Sequence, residues 1–423
     1  VGGIHPTSCP EQSIETADVV CVGEGDEAIV ELATNLARRK RIDNIQNLWI
    51  KKKNNIIKND LRPLIQDLDS IPFADFSNEN KYHIDNNHVQ HLPDVDQRKT
   101  YRIMTSRGCL FSCTYCCNNI LRQKYMGKGK YMRRRSVENV IEELIYAKKM
   151  FKNLNFILFE DDLFVYDINW IRKFCHLYKK TINIPFFCYY QVNISNEEML
   201  KLLKHAGLKK SVIGIQAGSE KIRKKYFERN ETNKQLIKAA KLLKKYKISC
   251  SYDFMSDNPL ETEEDRRETL KLLLRLPRPF ELQVFSLTHF PKTKLTKTLL
   301  QMGKISPADV EGQKEKGYER WRYLLNLKRE NINLFWDNLY YLAGKKYVPK
   351  IVVVWLSKIK FLKRHPKSLT ILLKTIFIFN ICTISEHDSK IVTLIKYPIL
   401  FFRSPLRFIK ESRVYKWAKK HIV

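Results

Sequence analysis

Residues 101–119 read YRIMTSRGCLFSCTYCCNN. The first six residues predict a strand that leads into a loop. The loop carries Cys109, Cys113 and Cys116, separated by three residues and then by two. Three thiolates on one short loop can ligate three irons of a cubane cluster and leave the fourth iron open. An open iron can chelate a small ligand and pass it one electron. A structural zinc takes four ligands, usually as two spaced pairs, and no second Cys or His pair lies nearby. Cys117 has two readings, a fourth thiolate or an inert neighbour. Adjacent side chains rarely point at one metal, which favours the inert reading.

Outward from this loop the pattern is regular. SVENVIEELIYAKKMF predicts a helix with Ser136 as N-cap. Then come strand NFILFEDD, helix INWIRKFCHLYKK, strand PFFCYYQV, helix NEEMLKLLKHAG, strand KSVIGIQAG, a basic helix to Lys245, strand ISCSYDFM, helix EEDRRETLKLLLRL and strand FELQVFSLT. Such alternation predicts a parallel sheet with helices outside, as an open sheet or a barrel. Chemistry in these folds sits at the C-terminal ends of the strands. Glu160-Asp161-Asp162, Gly214-Ile215-Gln216-Ala217-Gly218-Ser219, Asn258-Pro259-Leu260-Glu261-Thr262 and His289-Phe290-Pro291-Lys292-Thr293 fall there. Taken singly, each also reads as an ordinary turn or helix start.

Taken in series, the cysteine loop and these segments resemble the radical S-adenosylmethionine (SAM) superfamily. Tyr115 stands at the aromatic position of that family's loop. Gln216 replaces a more frequent Glu, and Asp257 and Leu260 stand where the family's next turn has glycines. The resemblance implies a (β/α)6 partial barrel over residues 99–300. It implies a 4Fe-4S cluster on Cys109, Cys113 and Cys116, with SAM chelated at the open iron. One electron then splits SAM into methionine and a 5′-deoxyadenosyl radical. It places Tyr115 near the adenine, and Glu160, Asp161 or Asp162 at the methionine ammonium. Gln216 and Ser219 would reach the ribose or the carboxylate. An external electron donor of flavodoxin or ferredoxin type is also implied.

Residues 1–40 read as the C-terminal part of a doubly wound α/β domain, and 41–98 as a linker. VGGIHPT predicts a strand end and turn. ADVVCVGEGD predicts a buried parallel strand running into a glycine turn, followed by helix EAIVELATNLARRK. This fragment resembles the second half of the cobalamin-binding domain that precedes the barrel in one subfamily. The resemblance gives Gly2, Gly3, Gly23 and Gly25 a role against a cofactor, and makes cobalamin the expected methyl carrier. It implies a cobalamin-dependent methyltransferase acting on an unactivated carbon or phosphorus centre. Two alternatives stay open: an RNA-modifying enzyme of methylthiotransferase type, and a non-catalytic metal-binding or membrane-adaptor protein.

Composition narrows the class. With 423 residues and 44% hydrophobic content, the chain can bury a large core without disulfide staples. Ten cysteines, four of them between Cys109 and Cys117, point to metal or catalysis in a reducing compartment. No signal peptide is legible, and a cytoplasmic location is expected. The net charge of +31 suits an anionic or lipid-like small substrate or a membrane surface, with nucleic acid less favoured. Residues 301–423 read as a helical basic region, with 18 Lys and Arg against 3 acids from Lys345 onward. The apolar run at 369–384 falls short of the roughly 20 residues that span a bilayer. Contact with a membrane surface, a substrate lid, nucleic-acid contact and an ordinary helical domain with a solvated basic face all stay open for this region.

Overall fold

The computed structural model describes residues 1–53, 55–76, 81–85, 87–91, 99–312, 329–371 and 373. The chain divides into two compact units, Val1–Tyr323 with Tyr340–Lys350, and Leu324–Leu339 with Ile351–Val423.

The first unit opens with helices α1 (Ile4–Ser8) and α2 (Pro10–Ser13), strand β1 (Val19–Cys21) and helix α3 (Asp26–Ala37). Strands β2 (Leu48–Lys52) and β3 (Asn55–Lys58) follow. The sheet order is β1-β2-β3, and both pairings are antiparallel. This differs from the all-parallel pairing expected of half a doubly wound domain, although the bonds of Val1 to Val19 and Cys21 keep a parallel pattern beside β1. A short apolar run such as ADVVCV carries no strand direction, and β2 decides it by pairing Val20 with Trp49. Ala28, Ile45, Leu48 and Ile50 pack as one buried cluster beneath α3. VGGIHPT is a helix over Ile4–Ser8 rather than a turn. Its first residue still lies in a ladder: the Val1 amino group donates to Val19 O at 2.7 Å, and the Cys21 N–H donates to Val1 O at 2.8 Å. Residues 41–98, expected to be a linker, hold β2, β3 and a hairpin of β4 (Tyr82–Asp85) and β5 (His88–His91).

Six parallel strands follow in strict sequence order: β6 (Thr100–Ile103), then, after the short antiparallel pair β7 (Ser106–Arg107) and β8 (Arg133–Arg134), β9 (Phe156–Phe159), β10 (Phe186–Tyr189), β11 (Leu208–Gln216), β12 (Ser249–Ser256) and β13 (Glu281–Ser286). Every strand expected from the sequence is present, and the sheet matches the partial barrel. Helix α4 (Cys117–Lys124) follows the cysteine loop, and α5 (Val137–Met150), α6 (Ile168–Thr181), α7 (Glu197–Ala206), α8 (Asn233–Lys245) and α9 (Glu263–Arg275) alternate with the later strands.

The five helices between these strands start on side-chain caps. Ser136 accepts from Asn139 N, Asp167 from Asn169 N and Trp170 N, and Asn196 from Met199 N. Thr232 with Gln235, and Thr262 with Asp265, form capping boxes. Each cap satisfies otherwise orphaned N–H groups and is worth about 1 kcal/mol. Between the sheet and α6 lies an aromatic layer. Phe159 sits 4.7 Å from Phe164 and 5.4 Å from Phe186, and Phe174 lies 5.0 Å from Tyr178. All five rings are fully buried, at roughly 1.5–3 kcal/mol each. The Tyr178 hydroxyl donates to Ile184 O at 2.8 Å, so the deepest phenol keeps a partner.

In the second unit, Leu334, Phe335, Trp336 and Leu339 are buried, Arg329 pairs with Asp337, and Asn338 Nδ2 donates to Thr370 Oγ1 at 2.8 Å. Most of the apolar run at 369–384 lies outside the described residues.

Candidate active site

The cysteine loop leaves the C-terminal end of the first barrel strand and is held from four sides. Gly108 has φ 90°, and a Cβ there would stand 2.4 Å from Tyr131 O, so only glycine fits between β7 and the loop. The Arg122 guanidinium donates to Cys109 O and, at 3.4 Å, to Phe111 O. The Thr114 N–H donates to Phe227 O at 3.3 Å, and Thr114 O accepts from Leu295 N at 3.0 Å. Cys116 N donates back to Cys113 O at 3.0 Å and caps α4.

Cys113 is buried, and Cys109 and Cys116 are half-buried. Burial pushes the Cys109 thiol up to about 11, helped by the charges of Asp162, Cys113 and Cys116. Burial also raises Cys113, although Arg229 opposes it. Cys116 is pulled down to about 6 by a hydrogen bond from the Cys117 thiol, with Asn118 adding its own. The three sulfurs therefore lie within one another's field. Among the described residues, no three His, Cys, Asp or Glu side chains gather closely enough to hold a single metal ion. Sulfurs around one tetrahedral ion stand about 4 Å apart. A cubane cluster takes one thiolate per iron and holds them farther apart, so this donor set fits a cluster.

The expected site residues divide. Asp162 lies against the loop: its Oδ2 accepts from Asn118 Nδ2 at 3.0 Å, and the same Nδ2 sits 3.7 Å from Cys116 Sγ. Tyr115 packs edge-on to Phe227 at 5.0 Å, and its hydroxyl accepts from Arg229 at 3.2 Å. Gln216 ends β11 at φ 65°, beside a register shift between Gly214 and Gln216. That left-handed, non-glycine residue is a strained point at the strand end.

The other three are placed elsewhere. Glu160 pairs with Arg102 at 3.0 Å on the surface. Asp161 is fully buried and accepts from Thr105 N, Thr105 Oγ1 and Ser106 Oγ at 2.8, 2.9 and 2.5 Å. It fixes the approach to the cysteine loop from beneath. Ser219 is also fully buried and donates to Asp265 Oδ1 at 2.8 Å.

Asp265 carries a pH-dependent prediction. Burial raises its pKa, but hydrogen bonds from Thr262, Ser219 and Lys221 reverse this and bring it to about 2, below the ordinary 3.8. A depressed carboxyl pKa stabilises the fold above the ordinary value, and the gain is lost as pH falls towards the folded value. Asp265→Asn is therefore expected to cost about 2 kcal/mol at pH 7, and about half of that at pH 3. Urea unfolding at the two pH values reads the gap, and an equal gap at both would refute the assignment.

Sequence reading missed Asn118, Arg122, Arg229 and Glu231. Arg229 donates to Glu231 Oε1 at 2.7 Å and to Gly214 O at 2.9 Å, besides Tyr115. Glu231 also accepts from Gln191 at 3.5 Å. Among the described residues, Arg229 Nε and Glu231 Oε2 are buried and have no hydrogen-bond partner. Such orphaned buried atoms suit a polar ligand.

Two of the four N-terminal glycines, Gly23 and Gly25, are closed off by protein side chains. A Cβ on Gly23 would stand 1.9 Å from the Tyr125 hydroxyl, which accepts from Glu24 N at 2.7 Å. Glu24 takes Arg133 through bonds of 2.8 and 3.0 Å, and Asp26 takes Arg107 through 2.8 and 2.9 Å. These two carboxylates clamp the N-terminal sheet onto β7 and β8, and no side chain caps α3. Gly25 packs 3.3 Å from Cys21 Sγ, Gly2 lies near Cys21, and Gly3 has nothing within 4 Å. Cobalamin does not fit against Gly23 and Gly25. Gly23→Ala is expected to lower stability by about 2 kcal/mol through the clash and the φ of 89°. Unchanged stability with weakened cobalamin binding would restore a cofactor role for Gly23.

Residues 103–273 match the Radical SAM superfamily. The chain is 29% identical over 308 residues to an uncharacterized methyltransferase of Pyrococcus horikoshii, covering 70% of this chain and 61% of that one. It is 23% identical over 272 residues to the cytidylyl-2-hydroxyethylphosphonate methyltransferase of Streptomyces wedmorensis, covering 57% and 49%. The chain thus spans 49–61% of the length of these relatives. Its fold is similar to that of OxsB, a cobalamin-dependent SAM radical enzyme solved with aqua-cobalamin and SAM, at a TM-score of 0.56, 16% identity and coverage of 96% and 62%. The matched stretch runs from the end of β6 into α9 and includes the loop with all three thiols, and over this stretch the chain is a radical SAM domain.

Proposed function

We propose that this chain is the catalytic part of a radical SAM methyltransferase. The observation that carries the reading is the three-thiol loop fixed at the C-terminal end of the first strand of a six-stranded parallel sheet. Cys109, Cys113 and Cys116 would hold a 4Fe-4S cluster, which when bound supplies one electron to the carbon–sulfur bond of SAM. Asn118 holds Asp162 beside the loop, where its carboxylate can accept from the methionine ammonium. Tyr115, fixed by Arg229, offers its ring to the adenine. Gln216 and the orphaned atoms of Arg229 and Glu231 are polar groups for the ribose and the amino-acid end.

The acceptor would lie against the less buried face of the sheet. Gly214, Asp253 and Gln283 stand in register there, as do Met255 and Phe285. This mix of polar and apolar groups suits a small molecule with both characters. The two sequence relatives named methyltransferases support methyl transfer, and an unactivated carbon or phosphorus centre is the acceptor this proposal names. Cobalamin as methyl carrier is supported by the fold's likeness to OxsB, not by Gly2, Gly3, Gly23 and Gly25. A flavodoxin or ferredoxin would supply the electron in the cell.

The test is anaerobic reconstitution with iron and sulfide, reduction with dithionite, and assay of SAM cleavage. Formation of 5′-deoxyadenosine is expected. A fully loaded cluster that leaves SAM intact, with and without added cobalamin, would refute the catalytic reading.

A further inference from the structure

The second unit carries a surface that catalysis leaves unused. The helix Lys350–Leu356, which enters this unit at Ile351, buries Val353, while Ile351 is 77% exposed and Trp355 61%. These two are four residues apart and share one face of the helix. Val352 and Val354 are also exposed, and Phe361, on the short helix Lys360–Arg364, is 64% exposed. Lys358, Lys360, Arg364 and Lys367 are exposed around them. No Asp or Glu occurs between Asp337 and Glu386.

Exposed aromatic and aliphatic side chains interspersed with exposed cations, in a stretch without acids, complement an anionic bilayer surface. Aromatic and aliphatic side chains enter the headgroup–acyl boundary, and cations meet the lipid phosphates. Nucleic acid would use cations and aromatic rings but gains nothing from Ile351, Val352 and Val354, which have no face on which a base can stack. Among the described residues, no helix is long and apolar enough to cross a membrane, so contact is with the surface. We propose that this unit docks on anionic membranes through Ile351, Trp355 and Phe361, with Lys358, Lys360, Arg364 and Lys367 on the lipid phosphates. The proposal stands apart from the catalytic reading and needs no cluster.

The test is flotation of the full chain with phosphatidylcholine vesicles and with vesicles containing about 30 mol% phosphatidylglycerol. The bound fraction is expected to rise at least about tenfold with the anionic lipid. The pair Ile351→Glu and Trp355→Glu is expected to abolish that rise. Both side chains lie on the surface, so the variant's melting curve is expected to match that of the parent. Equal binding to both vesicles overturns the proposal. So does undiminished anionic binding by the variant, which would assign the attraction to the overall charge of +31. Failure to float, together with binding of a single-stranded oligouridine that the variant abolishes, overturns it in favour of nucleic acid.

Discussion

Replacing Cys113 with alanine is expected to strip the reconstituted protein of its cluster. Iron should fall from about four per chain to less than about one, and 5′-deoxyadenosine formation should fall below detection. Cys109→Ala and Cys116→Ala are expected to behave alike, because two thiolates on a loop do not retain a cubane against chelators. Cys117→Ala is the discriminating control. The Cys117 thiol starts α4 and donates its hydrogen bond to the Cys116 sulfur. Removing that bond changes the electron density on one ligand, so the cluster should form and its reduction potential should shift. Iron and zinc analysis after reconstitution, with the absorption of the reduced and oxidised protein, reads all four variants. If Cys117→Ala loses the cluster while Cys109→Ala keeps it, the ligand set is wrong. If zinc remains in every variant and iron never loads, the cluster itself is wrong.

The barrel was legible because its cues are local. Each strand is a short apolar run, each following helix begins on Ser, Thr, Asp or Asn, and the loop spacing lies within a few residues. Direction and depth are not local. ADVVCV reads equally well as a parallel or an antiparallel strand until residues 48–52 pair with it, and LWIKKKNNIIK hides that hairpin under its lysines. Asp161 and Ser219 read as exposed polar groups at strand ends. They are buried because their partners come from 56 and 46 residues away. Arg229 and Glu231 sit in the basic stretch KIRKKYFERNETNK, which reads as a solvated face, and only the return of Tyr115 from the cysteine loop gives them a place.

That buried pair makes a second large effect measurable. The Arg229 and Glu231 side chains are 10% and 2% exposed, and their ion pair is 2.7 Å long. Two charges taken out of water are costly, and their mutual attraction roughly offsets that cost. Removing one partner leaves the other charged, buried and uncompensated. Glu231→Leu is therefore expected to cost about 3–5 kcal/mol in urea unfolding of the cluster-free protein. The double variant Arg229→Leu with Glu231→Leu removes both charges and should cost clearly less than Glu231→Leu alone. Gly214 O and the Tyr115 hydroxyl would still lose a donor, at about 1 kcal/mol each, so the double variant does not return to the parent's stability. Additive losses, with the double variant weaker than either single one, would show that the two charges do not depend on each other. Arg229 also holds the Tyr115 hydroxyl, so the double variant separates two roles. It is expected to recover much of its stability while SAM binding stays weakened, because the ring beside Cys116 has lost its anchor.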